Sequence, residues 1–151
     1  WGFYRRRILH GERNFPPIIR WDAESYLDTL QLPSTIALAG WYVGNFVGST
    51  WGSDYNEFIG RNFGGRTFQV CNTIVSPKYW GKGFGYQLFM ERLYRAKEAG
   101  FTRLIGEFRE GHSLSLVLRL GAKEIKALPN WENSGENYVR CELNLGKFER
   151  P

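Results

Sequence analysis

The chain has 151 residues, 42% hydrophobic and 17% aromatic, which excludes a disordered or collagen-like protein and is long enough for one self-sufficient core. The formal net charge of +5 fits an anionic ligand such as a phosphorylated cofactor, and also fits nucleic acid or an acidic surface. No apolar run is long enough to span a membrane, and the first residues carry no continuous apolar stretch, so no signal peptide is expected.

Residues 1–16 are aromatic and basic, and Pro16-Pro17 closes them off as an N-terminal extension of a single domain over 1–151. Within them Arg5-Arg6-Arg7 reads as a solvated basic run. Ile18 to Arg20 reads as a short strand; Asp22 is an N-cap for a helix over Ala23 to Leu30, which ends before Pro33. Thr35 to Val43 and Phe46 to Trp51 read as a β-hairpin about a Gly44-Asn45 turn. Gly52 to Gly65 is polar and reads as a loop or short helix. Arg66 to Val75 is a central strand. Phe84, Leu88, Phe89, Leu93 and Ala96 then recur at helical spacing, supported by an i,i+4 pair of Glu91 and Arg95 and stopped at Gly100. Thr102 to Phe108 is a strand, His112 to Leu120 a helix, and Ala122 to Leu128 with Tyr138 to Leu145 a closing antiparallel pair. The order predicts a mixed α/β (α+β) architecture with a Gly-rich turn in its middle.

The most informative segment joins the central strand to the main helix: Val75-Ser76-Pro77-Lys78-Tyr79-Trp80-Gly81-Lys82-Gly83-Phe84-Gly85. A Gly-rich turn there offers unpaired backbone N–H groups at the positive end of a helix dipole, a place for a phosphate or pyrophosphate. Gly81, Gly83 and Gly85 let the backbone approach the anion, and Lys78 and Lys82 add charge. The spacing is neither a dinucleotide-binding G-x-G-x-x-G nor a Walker loop. Cys71 and Cys141 lack metal-type spacing and read as buried thiols in a reducing, cytoplasmic setting.

These residues resemble the GNAT superfamily of acyl-CoA-dependent N-acyltransferases. The likeness runs from about Thr35 to Leu145. It is carried by Val75-Ser76-Pro77 followed by Trp80-Gly81-Lys82-Gly83-Phe84-Gly85, by the helix end Ala99-Gly100-Phe101, and by Leu118-Arg119-Leu120-Gly121-Ala122, three elements in the family's order. The resemblance implies a central, mostly antiparallel sheet splayed at the cofactor strand and flanked by helices, and acetyl-CoA (or another acyl-CoA) as cofactor. Its pyrophosphate would lie on residues 81–85 and its pantetheine arm along Ile74 and Val75. It also implies direct attack of a primary amine, from a small molecule or a peptide, on the thioester. Nucleic acid and membrane are then not the expected partners, and a homodimer is admissible.

Three positions depart from the family pattern. Trp80 stands at the usual Arg/Gln position, Glu110 at the usual Asn that contacts pantetheine, and Val117 at the usual Tyr that protonates the leaving thiolate. Glu107, on the strand after the main helix, is the expected general base, with Asn72 (and Thr73) holding a relaying water. Cys71 has no evident His or Asp partner and reads as a buried thiol rather than a nucleophile, while His112 reads as a first-turn helix residue beside Ser113, with an acid or base role near the thioester as its alternative. An acceptor site lined by Trp21, Tyr26, Trp51, Asp54, Tyr55, Glu57, Trp131 and Glu132 would suit a cationic amine. Two alternatives stay open. One is a related domain that decarboxylates or passes the acyl group to a carrier thiol. The other is a non-catalytic CoA- or partner-binding module docking through Arg5, Arg6 and Arg7.

Overall fold

A computed structural model describes residue 28, residues 30–60 and residues 65–151. The expectations for the N-terminal extension, the strand at 18–20, most of the helix at 23–30, and Trp21 and Tyr26 fall outside the described residues.

The described residues form a six-stranded sheet in the order β1-β2-β3-β4-β6-β5. Strands β1 (Ile36–Tyr42) and β2 (Asn45–Asp54) make the expected hairpin. Its turn is Val43-Gly44, one residue earlier than the sequence indicates. Both residues have positive φ (47° and 72°), as a two-residue hairpin turn demands, and the Asn45 side chain donates to the Val43 carbonyl while Asn45 itself pairs with Tyr42. Strand β2 runs three residues past Trp51, to Asp54, whose carboxylate then caps the short helix α1 (Tyr55–Ile59) by accepting from the Asn56 and Glu57 amides.

Strand β3 (Thr67–Val75) is central, between β2 and β4 (Arg103–Arg109). It pairs antiparallel with β2 and parallel with β4, the one parallel pair in the sheet. A parallel pair needs a crossover, and α2 (Phe84–Glu98) supplies it. Helix α2 ends as expected: Gly100 takes φ 87° and its amide reaches the Lys97 carbonyl at 2.8 Å, while Phe101 N–H reaches Ala96. Helix α3 (His112–Arg119) and the pair β5 (Lys123–Leu128) and β6 (Tyr138–Asn144) complete the order.

The core lies between the sheet and helices α2 and α3. Phe89, Leu93 and Ala96 of α2 and Val117 of α3 meet Phe68 and Val70 of β3, Leu104 and Phe108 of β4, and alternate residues of β6. Period-2 strands and a period-3.6 helix share one apolar face, as the pattern requires.

Candidate functional site

The site begins where β3 and β4 part. The two strands pair only from Thr67 to Val70 against Arg103 to Gly106. Beyond that, among the described residues, Cys71 to Val75 have β2 on one side and no strand on the other, an open edge of about 16 Å for five residues at about 3.3 Å each. A β-bulge starts it: Trp51 pairs with Asn72 but Gly52 with Val70, so Cys71 is the extra residue. Phe68 and Val70 pack into the core with α2, yet Val75, an odd number of residues on, also faces the first turn of α2, its Cγ2 lying 3.6 Å from where a Cβ on Gly85 would sit. The bulge thus reverses the face that each later side chain takes. Arg92 of α2, fully buried, secures it: its NH1 donates to the Trp51 carbonyl at 2.8 Å and to the Asn72 carbonyl at 2.9 Å. Thr50 Oγ1 also donates to Asn72 O (3.0 Å) and shares a hydrogen bond with Thr73 Oγ1 (2.9 Å).

The open edge runs directly into the Gly-rich turn. Pro77–Tyr79 form a single 3-10 turn, and Gly83 opens α2 as its N-cap with no side chain bound to the first helical amides. Gly81 and Gly83 take φ of 72° and 81°, and among the described residues nothing lies within 4 Å of where a Cβ at either would sit. The Lys78 and Lys82 ammonium groups lie 4.8 and 5.7 Å from the centre of the Tyr79 ring, which also packs edge-on against Phe84. Ile74 is buried, while Trp80 is half exposed and donates its indole N–H to the Val75 carbonyl at 2.8 Å. Ile74, Val75, Lys78, Trp80, Gly81, Lys82, Gly83, Phe84 and Gly85 therefore form one continuous ledge from strand edge to helix start, whose glycine-lined end suits a phosphate and whose extended end suits an amide-bearing arm.

The acid–base candidates stand on the two arms of the fork. Glu107 is the first β4 residue past the last β3–β4 pair, and Cys71 the first on β3. Glu107 is mostly buried and pairs with Arg140 of β6, which reaches Oε1 from NH2 at 2.6 Å and from Nε at 2.8 Å; Gln69 Nε2 donates to Oε2 at 3.0 Å. These bonds fix where its oxygens lie. Asn72 sits opposite Trp51 on the β3 arm. Burial pushes the Cys71 thiol well up, opposed by the Arg92 charge and reinforced by Glu107, so Cys71 is poorly placed to form a thiolate nucleophile. Cys141 is fully buried and pushed up to about 11, chiefly by burial. Both cysteines are free.

Glu110 lies farther out, where its amide donates to the Asn137 carbonyl and its carboxylate accepts from Asn137 Nδ2, tying the end of β4 to the 129–137 loop. Val117 is fully buried in the core, and His112 is exposed at the start of α3. Of the acceptor-site residues, Trp51 is core rather than lining, Asp54 is spent on capping α1, and Glu57 accepts from both the amide and the hydroxyl of Ser34. Trp131 is partly buried and Glu132 exposed in the last loop. Among the described residues, no group of three or more His, Cys, Asp or Glu side chains is arranged to hold a metal. No helix among them is long and apolar enough to cross a membrane.

Sequence reasoning missed Arg92, Gln69 and Arg140. Arg92 had a legible signal: it falls between Leu88, Phe89, Leu93 and Ala96 on the apolar stripe of α2, where a charge must find buried partners.

A family model described as the acetyltransferase (GNAT) family matches residues 6–116. No curated protein sequence matches the chain. Solved structures do. An aminoglycoside 6′-N-acetyltransferase complexed with coenzyme A is 13% identical, with a TM-score of 0.68 over 97% of this chain and 88% of that one. A ribosomal-protein-alanine N-acetyltransferase from Brucella melitensis is 18% identical, with a TM-score of 0.68 over 95% and 90%. A GNAT family acetyltransferase from Elizabethkingia anophelis with acetyl-CoA bound is 18% identical, with a TM-score of 0.61 over 82% and 83%. At such identities the likeness is one of fold.

Proposed function

Because the chain belongs to the GNAT acetyltransferase family, we propose that it is an acyl-CoA-dependent N-acyltransferase that transfers an acyl group, acetyl in the first instance, to a primary amine. The observation that carries this reading is the open edge of β3 leading without a break into an uncapped, glycine-lined helix start. The thioester supplies an activated acyl carbonyl. The amides of residues 81–85 hold the pyrophosphate, with Lys78 and Lys82 beside it. The main chain from Thr73 to Val75 pairs with the pantetheine arm and directs the acyl group toward the apex of the fork.

At the apex, Glu107 accepts the proton of the attacking amine, directly or through a water held near Asn72 and Thr73. Arg140 and Gln69 keep its carboxylate from turning away. The core position of Val117 puts no acid at the usual place, so the thiolate leaves without a proton from residue 117. A small-molecule or peptide amine is the expected acceptor, and the two free cysteines fit a reducing, cytoplasmic setting.

Calorimetric titration with acetyl-CoA and with free CoA tests the cofactor, followed by thiol release across a panel of amines. Micromolar binding with amine-dependent release of CoA is the expected result. Absence of heat with both ligands overturns the reading. Amine-independent release of carbon dioxide from malonyl-CoA points instead to the decarboxylating alternative.

A further inference from the structure

One acceptor on the open edge of β3 is already taken. The register sets Gly48 opposite Val75 and Ser49 opposite Ile74, and the Ser76 amide donates to the Val47 carbonyl at 2.8 Å. In an antiparallel ladder the inward and outward main-chain groups alternate by residue. Ser76 and Ile74 therefore turn theirs to β2, and Val75 and Thr73 turn theirs to the open side. The Trp80 indole N–H lies 2.8 Å from that outward Val75 carbonyl. Its donor comes from a ring 52% exposed, on the same turn that carries Gly81 and Gly83. A side chain thus occupies the place that the amide of a strand-like ligand would take.

We propose that Trp80 is a latch on the cofactor edge: its indole N–H stands in for an amide N–H of the acyl-phosphopantetheine arm, and the arm binds by displacing it. This rests on the acyl-CoA reading above and goes further, because it makes Trp80 a competitor of the cofactor rather than a ligand for its pyrophosphate. An indole this exposed can swing into water, where solvent takes over its hydrogen bond at little cost. The arm's own amide then takes the Val75 carbonyl, which the nucleotide portion does not reach, so the latch acts on a ligand with an amide arm and not on one with the nucleotide alone. Had Trp80 been a clip that shapes the turn for binding, its loss would weaken affinity; a latch predicts the opposite sign.

The test compares the wild-type chain with Trp80→Phe, which keeps a ring and loses the donor. Each is titrated with acetyl-CoA and with adenosine 3′,5′-bisphosphate, which lacks the arm. A neutral hydrogen bond that must open before binding holds back affinity about three- to tenfold. Trp80→Phe should therefore bind acetyl-CoA tighter by that factor and the bisphosphate equally well. In nitrogen-15 spectra the Trp80 indole signal, identified by its loss in the variant, should move upfield when the wild type is saturated with acetyl-CoA and stay in place with the bisphosphate. Equal or weaker acetyl-CoA binding by the variant, or an indole signal unmoved by acetyl-CoA, removes the latch while leaving the acyl-CoA reading intact. Failure of both proteins to bind acetyl-CoA overturns the acyl-CoA reading and the latch with it.

Discussion

Replacing Arg92 by Met tests whether one buried guanidinium holds the bulge at which the open β3 edge begins. Met matches the length of the stem and deletes both donors, leaving the Trp51 and Asn72 carbonyls where they are. Charge-assisted hydrogen bonds contribute about 1.5–3 kcal/mol each. Two give about 3–6 kcal/mol, and because Thr50 still donates to Asn72, the lower end, about 3 kcal/mol, is expected. Exchanging a whole buried polar pair for apolar groups is often neutral, but here only one side is exchanged and the carbonyls keep their need for a donor. At 151 residues each kcal/mol moves the melting point by about 2–4 °C, so Arg92→Met should melt lower by about 6–12 °C, and Arg92→Lys, which keeps one charged nitrogen to donate to the two carbonyls, by less. Melting curves followed by circular dichroism provide the assay. Calorimetry with acetyl-CoA at a temperature where the variant is folded reports whether the edge is lost with the bulge. A variant that melts within about 2 °C of the wild type and binds acetyl-CoA equally well would show that the bulge stands without Arg92.

Gly83→Glu places a side chain at φ 81° in front of the helix amides, so acetyl-CoA binding should fall below detection while the far-ultraviolet spectrum is retained; unchanged affinity would remove the phosphate cradle. Glu107→Gln should lower the turnover number at neutral pH by at least about tenfold, with acetyl-CoA affinity changed much less; a fully active variant excludes Glu107 as the base. The two thiols make stability fall on the alkaline side. Their folded values lie above the unfolded one, so protection is complete below about pH 8.5 and is lost as the pH rises, with a slope of up to about 1.4 kcal/mol per pH unit for each thiol. Cys141→Ala should flatten the fall in melting temperature between pH 9 and 10.5, and an unaltered slope would show that Cys141 does not titrate in that window.

Much of the frame was legible because single-residue rules governed it. Gly100 and Gly121 end helices α2 and α3, each with positive φ, and the apolar period of Phe84 to Ala96 could be nothing but an amphipathic helix. The strand termini drifted where a side chain far along the chain set them. Asp54 belongs to β2 because the Ser34 hydroxyl receives its amide and because its carboxylate is needed at the start of α1. The run from Ile74 to Gly85 was legible as a contiguous motif of strand end, Gly-rich turn and helix start. The hydrogen bond from Trp80 to Val75 was not, since it depends on the turn folding back on the strand, and at the sequence level a Trp for a cation reads only as a missing charge.

The bulge shows most clearly what a pattern cannot reveal. Alternation along Thr67 to Val75 predicts one face throughout, yet Val70 and Val75 both face the α2 side because Cys71 is inserted between them. That insertion has three linked effects. It ends the pairing with β4 after Gly106, it turns Thr73 and Val75 toward the opened side, and it frees two carbonyls that Arg92 must satisfy. The open edge, the buried arginine on the helix and the partly buried thiol at the fork are therefore consequences of one extra residue. A change that restored regular pairing through residue 71 would at once close the edge to an extended ligand and strand a charge in the core. This is why a position with unremarkable chemistry of its own is expected to tolerate substitution but not deletion.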